Sequence, residues 1–360
     1  MAENENKPKL LWLQSSPHVV RSDNVPAIMS RVIIALLPAT VFGVVLFGIS
    51  ALLNIVVAVA SAVIGEALFR RITRQDIRIK DCSAVVTGLL LALVLPPSTP
   101  LWMTALGALF AIIVAKEFFG GLGGNVFNPA LIGRAFLLMS FPAALTTWLK
   151  PTGIHTPLLF NNADPAILDA FTTATPLGIL KEGVTATADG ISHASGTLGA
   201  VESSLHAGSY GDMFKDLFLG NYAGCIGETS VLLILLGGIF LLITKTIDWR
   251  APVGMLASAF VFSLVVGLNP IFTLLSGGLV FGAVFMATDY TTTPVTGAGK
   301  LIFGIGAGLI VVLIRKFGNY PEGVMFSILI MNAATPFLNG LLHKKYGFAA
   351  PKKGAKEGAK

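Results

Sequence analysis

The residues best placed to do chemistry form the run Asp169-Ala-Phe-Thr172-Thr173-Ala174-Thr175-Pro176-Leu177. Thr175 offers a hydroxyl among small neighbours, six residues after an acid, where a modifying enzyme could reach it. The plainer use of the same residues is a polar loop ending in a proline turn. A second group works through its backbone. Gly120, Gly121, Gly123 and Gly124 lead into Asn128-Pro129, and proline suits the first turn of a helix, where its missing N–H costs nothing. That arrangement sets the free N–H groups of a helix start beside a permissive backbone. It would suit a carbonyl, a phosphate or a flavin ring edge, or else close packing of helices through small residues. A third stretch, Thr288-Asp289 to Pro294, closes an apolar run with an acid and several hydroxyls.

Charges within apolar sequence are the remaining lead. Glu66, Lys116, Glu117 and Glu228 all lie near the ends of such runs. A charge at the centre of a bilayer costs roughly 2.5–3.5 kcal/mol on insertion scales, but near a span end snorkelling removes much of that cost. A structural or interfacial role is therefore expected of them. Signatures of soluble enzymes are missing: there is no Walker loop, HExxH, GxSxG or zinc-spaced cysteine pair. His155, His193 and His206 share one polar stretch without metal-like spacing, and Cys82 and Cys225 cannot complete a four-thiolate cluster within one chain. Electron transfer by this chain would need a borrowed cofactor.

The elements that must position these residues are apolar. Of 360 residues, 54% are hydrophobic and 12% charged, against about 25% charged in a soluble domain. Ten apolar runs fall at about 32–49, 52–69, 83–97, 101–119, 128–142, 228–244, 251–267, 274–288, 301–314 and 323–342. In lipid such runs are helices, because an open backbone finds no partner there. The runs 83–97, 128–142 and 274–288 are short for a crossing and carry Gly or Pro at their ends, the mark of broken helices lining a site. The fold expected is an all-α polytopic membrane protein.

Its organisation follows the charges. Residues 1–31 are polar, so no removable leader is expected, and the loop 70–80 holds five basic residues and one acid. Basic loops face the cytoplasm, which places both termini inside. The segments are then 1–31, a first membrane half 32–142, an outer insert 143–227, a second half 228–342 and a basic tail 343–360. The insert holds seven acids and three lysines, in keeping with an outer position, whereas Arg315 and Lys316 fall on the disfavoured outer side. Cys82 and Cys225 fall on opposite sides, which excludes a disulfide between them. Five runs on each side of the insert give two halves of opposite orientation, an inverted repeat, echoed faintly between 120–137 and 317–334.

At these residues the chain resembles a known family: RnfD, the membrane flavoprotein subunits of Rnf ferredoxin–NAD oxidoreductases, with the paralogous B subunits of sodium-pumping NADH–quinone reductases. The resemblance covers roughly 15–345 and rests on DCSAVVTGLLLALVLPP (81–97), AKEFFGGLGGNVFNPALIGRAFLLMSFP (115–142), the Thr-Ala-Thr-Pro-Leu insert, LLSGGLVFGAVFMATDYTTTPVT (274–296) and the stretch 299–332. It implies FMN joined through a phosphoester to a threonine within a pattern Asp-x-x-Ser-Gly-Ala-Thr. Asp169, Thr172, Thr173, Ala174 and Thr175 fall on those places, so Thr175 is the implied attachment site. Thr172 stands for the usual Ser and Thr173 for the usual Gly, both keeping the site small and polar. The resemblance also implies riboflavin in some members, and partner subunits carrying flavin and iron–sulfur centres in a bacterial inner-membrane complex. That complex would couple ferredoxin oxidation and NAD reduction to Na+ or H+ translocation. Gly123, Gly124 and Asn128 are further candidates for a cofactor contact. The ten-helix inverted repeat is similar to the ammonium and urea channel fold, which keeps a small-solute channel as a rival reading. A passive assembly scaffold is another, and neither rival has a use for the Thr175 motif. The short N-terminal region favours RnfD over the B subunits.

Overall fold

The computed structural model describes residues 24–76, 79–151, 175–182, 184–187, 190–193, 210–318 and 322–342. Each of the ten apolar runs contains helix. The first half holds α1 (Val25–Phe47), α2 (Ile49–Ile72), α3 (Ser83–Leu93), α4 (Leu101–Ile113), α5 (Pro129–Ser140) and the turn-length α6 (Pro142–Leu145). The insert contributes α7 (Pro176–Glu182), a hairpin of β1 (Val184–Thr187) and β2 (Gly190–His193), and α8 (Tyr210–Leu219). The second half holds α9 (Val231–Ile243), α10 (Arg250–Val266), α11 (Pro270–Leu275), α12 (Leu279–Phe281), α13 (Gly297–Phe317) and α14 (Val324–Leu342). A single π-turn, Gly282–Met286, continues α12.

Among the described residues four helices are long and apolar enough to cross a membrane: Val25–Phe47, Ile49–Ile72, Leu101–Phe119 and Gly297–Phe317. The exposed side of α1 carries Ile34, Leu37, Val41 and Val45, and that of α2 carries Leu52, Val56 and Leu68. These follow the three-to-four-residue helical period, so a continuous apolar stripe faces outward, as a lipid-facing helix requires. The chain is a membrane protein. Two details depart from the expected elements. Helix α1 begins seven residues before the apolar run, since Pro26 supplies a ready first turn. The insert is not purely helical: β1 and β2 pair antiparallel with Val184 opposite His193, where the β-branched Val-Thr-Ala-Thr run favours extended backbone.

Packing repeats between the halves. Helix α2 lies along α3 and α4, α10 lies along α13, and the first helices of the two halves, α1 and α9, lie against each other. Small residues allow the closest of these approaches. A Cβ on Gly304 would collide with the Ala251 carbonyl, and one on Gly88 would lie 2.8 Å from the Ala58 carbonyl oxygen.

The short runs are broken where the site lies. At 1.5 Å per residue α3 rises about 16 Å, roughly half of the ~30 Å hydrocarbon core. The backbone freed beyond it finds partners from the end of the insert: Gly227 N donates to Leu93 O at 2.8 Å and Ile226 N to Leu95 O at 3.2 Å. The 274–288 run breaks at Ser276-Gly277-Gly278, where Gly277 takes φ +66°, a conformation few other residues adopt.

Candidate functional site

The face that carries the insert holds Thr175, 7% exposed, immediately before α7. Its Oγ1 accepts from the Gly178 N–H at 3.1 Å, and its carbonyl accepts from Ile179 N at 2.9 Å. The hydroxyl thus caps the helix. An ester oxygen keeps its acceptor lone pairs, so this bond survives esterification, and the bare Cα of Gly178 leaves the space beside Oγ1 open, since a Cβ there would stand 3.2 Å away. The geometry fits a phosphoester at Thr175. Asp169, Thr172, Thr173 and Ala174 lie outside the described residues. Helix α7 packs through Leu177 and Ile179 on Met213, Leu217, Tyr222 and Phe272.

Beneath α7 lies a buried ionic group. Arg315, 7% exposed, donates to the carbonyls of Thr273 and Ser276 at the end of α11. The basic residue that sat on the disfavoured side is thereby drawn inward, because the broken helix leaves carbonyls that a guanidinium can satisfy. Glu228, 2% exposed, accepts from Cys225 N at 3.1 Å, while its Oε2 lies against Gly278 without a hydrogen-bond partner. Arg134 of α5 pairs with Glu322 and reaches Cys225 Sγ at 3.6 Å. Cys225, Glu228 and Glu322 present ligand atoms within 4.8 Å of one another, but the Arg134 guanidinium already supplies positive charge there. Both cysteines are free thiols.

The opposite face holds a small cavity of about 80 Å³ between the two broken helices. That is well below the ~300–1,000 Å³ usual for small-ligand sites. Apolar side chains such as Val32, Leu241 and Phe285 wall it, with Ser83, Thr87, Lys116, Asn125, Asn128 and Asp289 among its polar members. Asn128 caps α5, its Oδ1 accepting from Ala130 N at 3.0 Å, as the Asn-Pro start leads one to expect. Asn125 bridges the halves by donating to Thr291 Oγ1 at 2.8 Å, and Thr291 in turn donates to Asp289 at 3.1 Å. The Asn125 Oδ1 is buried without a partner. The cavity offers this acceptor room for a small donor but lacks the volume of a three-ring flavin. Gly123 and Gly124 do not line the cavity. Gly123 has φ +101° with nothing within 4 Å of its missing Cβ, and a Cβ on Gly124 would collide with the Phe119 carbonyl. These glycines shape the loop that carries Asn125 and Asn128.

Residues 12–347 match the NQR2, RnfD, RnfE family. The chain belongs to that family. It is 44% identical over 346 residues, 94% of this chain and 96% of the relative, to the D subunit of the proton-translocating ferredoxin:NAD(+) oxidoreductase complex of Clostridium ljungdahlii. Identity is 42% over 349 residues, 96% of this chain and 98% of the relative, with the D subunit of the Na(+)-translocating complex of Acetobacterium woodii. It is 40% over 330 residues, 89% of this chain and 91% of the relative, with the D subunit of the ion-translocating oxidoreductase complex of Stutzerimonas stutzeri.

The family member's charged residues sit deeper than their place in the sequence suggests. Glu66, Lys116, Glu117 and Glu228 are 0%, 1%, 5% and 2% exposed, so none of them snorkels. Lys116 Nζ lies 3.2 Å from Glu66, and Arg70 Nε lies 3.4 Å from Glu66 and 3.2 Å from Glu117. Two acids and two bases cancel, which makes burial tolerable. Sequence reading also passed over Arg134, Glu322, Ser83 and Asn125. The available signal was an arginine in the middle of the apolar run 128–142, where a charge needs a partner.

Proposed function

We propose that this chain is the D-type membrane subunit of an ion-translocating ferredoxin:NAD oxidoreductase, carrying FMN on Thr175. Its near full-length identity with the D subunits of two such complexes, 44% and 42%, carries the reading. The share of the D subunits that it covers, 96% and 98%, favours them over the longer quinone-reductase B subunits. The partners are then the flavin and iron–sulfur subunits of the same complex, which act on ferredoxin and NAD. Bound flavin would supply one- and two-electron transfer. This chain would hold it through Thr175, the point of attachment beside α7.

In the same reading the chain crosses the inner membrane about ten times in two inverted halves, akin to the ammonium and urea channel fold. The equivalent packing of α2 with α4 and of α10 with α13 supports this. Both termini are cytoplasmic and residues 143–227 lie outside. A single cysteine introduced at 190 should react with an impermeant thiol reagent in whole cells, and one at 352 should not. The reverse pattern would sink the orientation. The flavin is tested by intact mass of the purified chain before and after phosphoester cleavage. A loss equal to one FMN is expected, whereas a colourless chain with unchanged mass would favour a channel or scaffold.

A further inference from the structure

Three of the four membrane-crossing helices end around one open hollow. Val25 begins α1, Arg70 lies in the last turn of α2, and Gly120 follows the crossing Leu101–Phe119. Arg74, Asp76 and Asp81 are the other charged members of its lining. The hollow measures about 620 Å³, within the ~300–1,000 Å³ usual for small-ligand sites. Bounded by the ends of spanning helices, it lies at the level of lipid headgroups. We propose that it binds one phospholipid through a phosphoethanolamine headgroup.

The charges ask for both signs in the ligand. Two arginines and two aspartates line the hollow, so its net charge is zero. Arg70 is committed to the protein: it is 5% exposed, pairs with Glu66 and Glu117, and donates to the Asp76 carbonyl at 3.2 Å. Asp81 accepts from Ser83 N and Ser83 Oγ through one oxygen only, Oδ1. The exposed side chains of Arg74 and Asp76 make no ion pair or hydrogen bond with another described residue. A headgroup with a phosphate and an ammonium gives each a partner: phosphate for the guanidinium, N–H donors for the carboxylates. A purely anionic headgroup, or free phosphate, would match Arg74 and set Asp76 and Asp81 against it.

The backbone shows that Arg74 is not chosen for its turn. Helix α2 ends in a Schellman motif, in which Arg74 N donates to Arg71 O at 3.3 Å and Gln75 N to Arg70 O at 2.9 Å. Glycine is usual at the left-handed position of that motif, yet Arg74 occupies it with φ +55°. A long side chain where the backbone favours none points to a use for its guanidinium. A basic loop that serves topology alone needs neither a hollow nor acids. Next to the hollow, α2 and the 101–119 crossing end in exposed apolar residues, Ile72 at 71% and Phe118 at 65%. Phe118 is held against Phe69 with ring centroids 5.6 Å apart. Apolar surface beside a polar hollow is what a headgroup with its acyl chains requires.

The test is native mass spectrometry of the purified complex after exchange, in detergent, with phosphatidylethanolamine, phosphatidylcholine or phosphatidylglycerol of equal chain length. Choline keeps the charge and loses the N–H donors, so its lipid should be retained about tenfold less, the loss of one charge-assisted hydrogen bond. Arg74→Gly suits the turn, so this complex should be at least as heat-stable as the parent and retain phosphatidylethanolamine about tenfold less. Asp76→Asn should weaken retention likewise, and it decides alone should the Arg74→Gly complex fail to assemble. Arg71→Ala, outside the lining, should retain the lipid as the parent does. Parental retention in both lining variants overturns the site, as does equal retention of the ethanolamine and choline lipids. Stronger retention of phosphatidylglycerol, or displacement of the lipid by inorganic phosphate, would make the hollow an anion site and overturn the zwitterionic headgroup. Loss of a partner subunit from the Arg74→Gly complex, with its lipid count unchanged, would assign the hollow to a protein contact instead.

Discussion

Thr175→Val is expected to give a chain that reaches the membrane in near-parental amount and carries no covalent flavin. Valine keeps the β-branched shape of threonine but has no oxygen to esterify. It also removes the acceptor of the Gly178 N–H, a helix-cap loss of about 1 kcal/mol. That is small for a chain whose core runs through both membrane halves, so insertion should survive while attachment does not. In-gel fluorescence after denaturation reads the covalent flavin directly, and Thr175→Ser, which keeps hydroxyl and cap, should retain signal. Persistent fluorescence in Thr175→Val, with loss in Thr173→Val or Thr187→Val, would move the attachment to another hydroxyl.

The apolar runs were legible because lipid imposes a simple rule: a spanning backbone must bond to itself, and its side chains must be apolar. Helix appears in every expected run. The breaks at 94–97 and 276–278 were legible for a related reason, since paired Pro or Gly at the end of a short run disfavours continuing the helix. What sequence could not give was the partner of each freed group. That Gly227 bonds to Leu93, and that Arg315 serves carbonyls of α11 rather than facing water, depends on segments far apart in the chain. The hairpin in the insert was hidden by its brevity, four residues in each strand.

The candidate site was legible in part for a different reason. The Asn-Pro start of α5 carries local chemistry, and Asn128 caps the helix as its position in sequence implies. The glycines before it offer a cofactor contact or close packing through small residues, and the structure shows that they turn the loop: Gly120, Gly121 and Gly123 all have φ between +86° and +101°. The buried charges were misjudged because distance along a helix from its end does not measure depth once other helices crowd that end. Glu66 stands six residues before the end of α2, yet Lys116 and Arg70 enclose it completely.

Arg134 should be among the most sensitive positions in the chain. Its guanidinium, on α5 of the first half, pairs with Glu322 at the entry to α14 of the second and touches Cys225 from the end of the insert. The side chains of Arg134 and Glu322 are only 12% and 17% exposed, so the pair has left most of its hydration behind. Breaking such a pair from one side costs about 3–5 kcal/mol, because the surviving charge stays buried, whereas removing both partners is often close to neutral. Here the cost is aggravated by Glu228, whose carboxylate lies in the same cluster. Arg134→Met should therefore lower both the yield of folded protein in detergent and its thermal midpoint, while Arg134→Met with Glu322→Gln should recover much of the loss. Equal instability of the single and double variants would mean that Arg134 acts through Cys225 or Glu228 rather than through Glu322. A single variant that melts with the parent would mean that the two halves are held by helix packing alone, and that this cluster serves a purpose other than joining them.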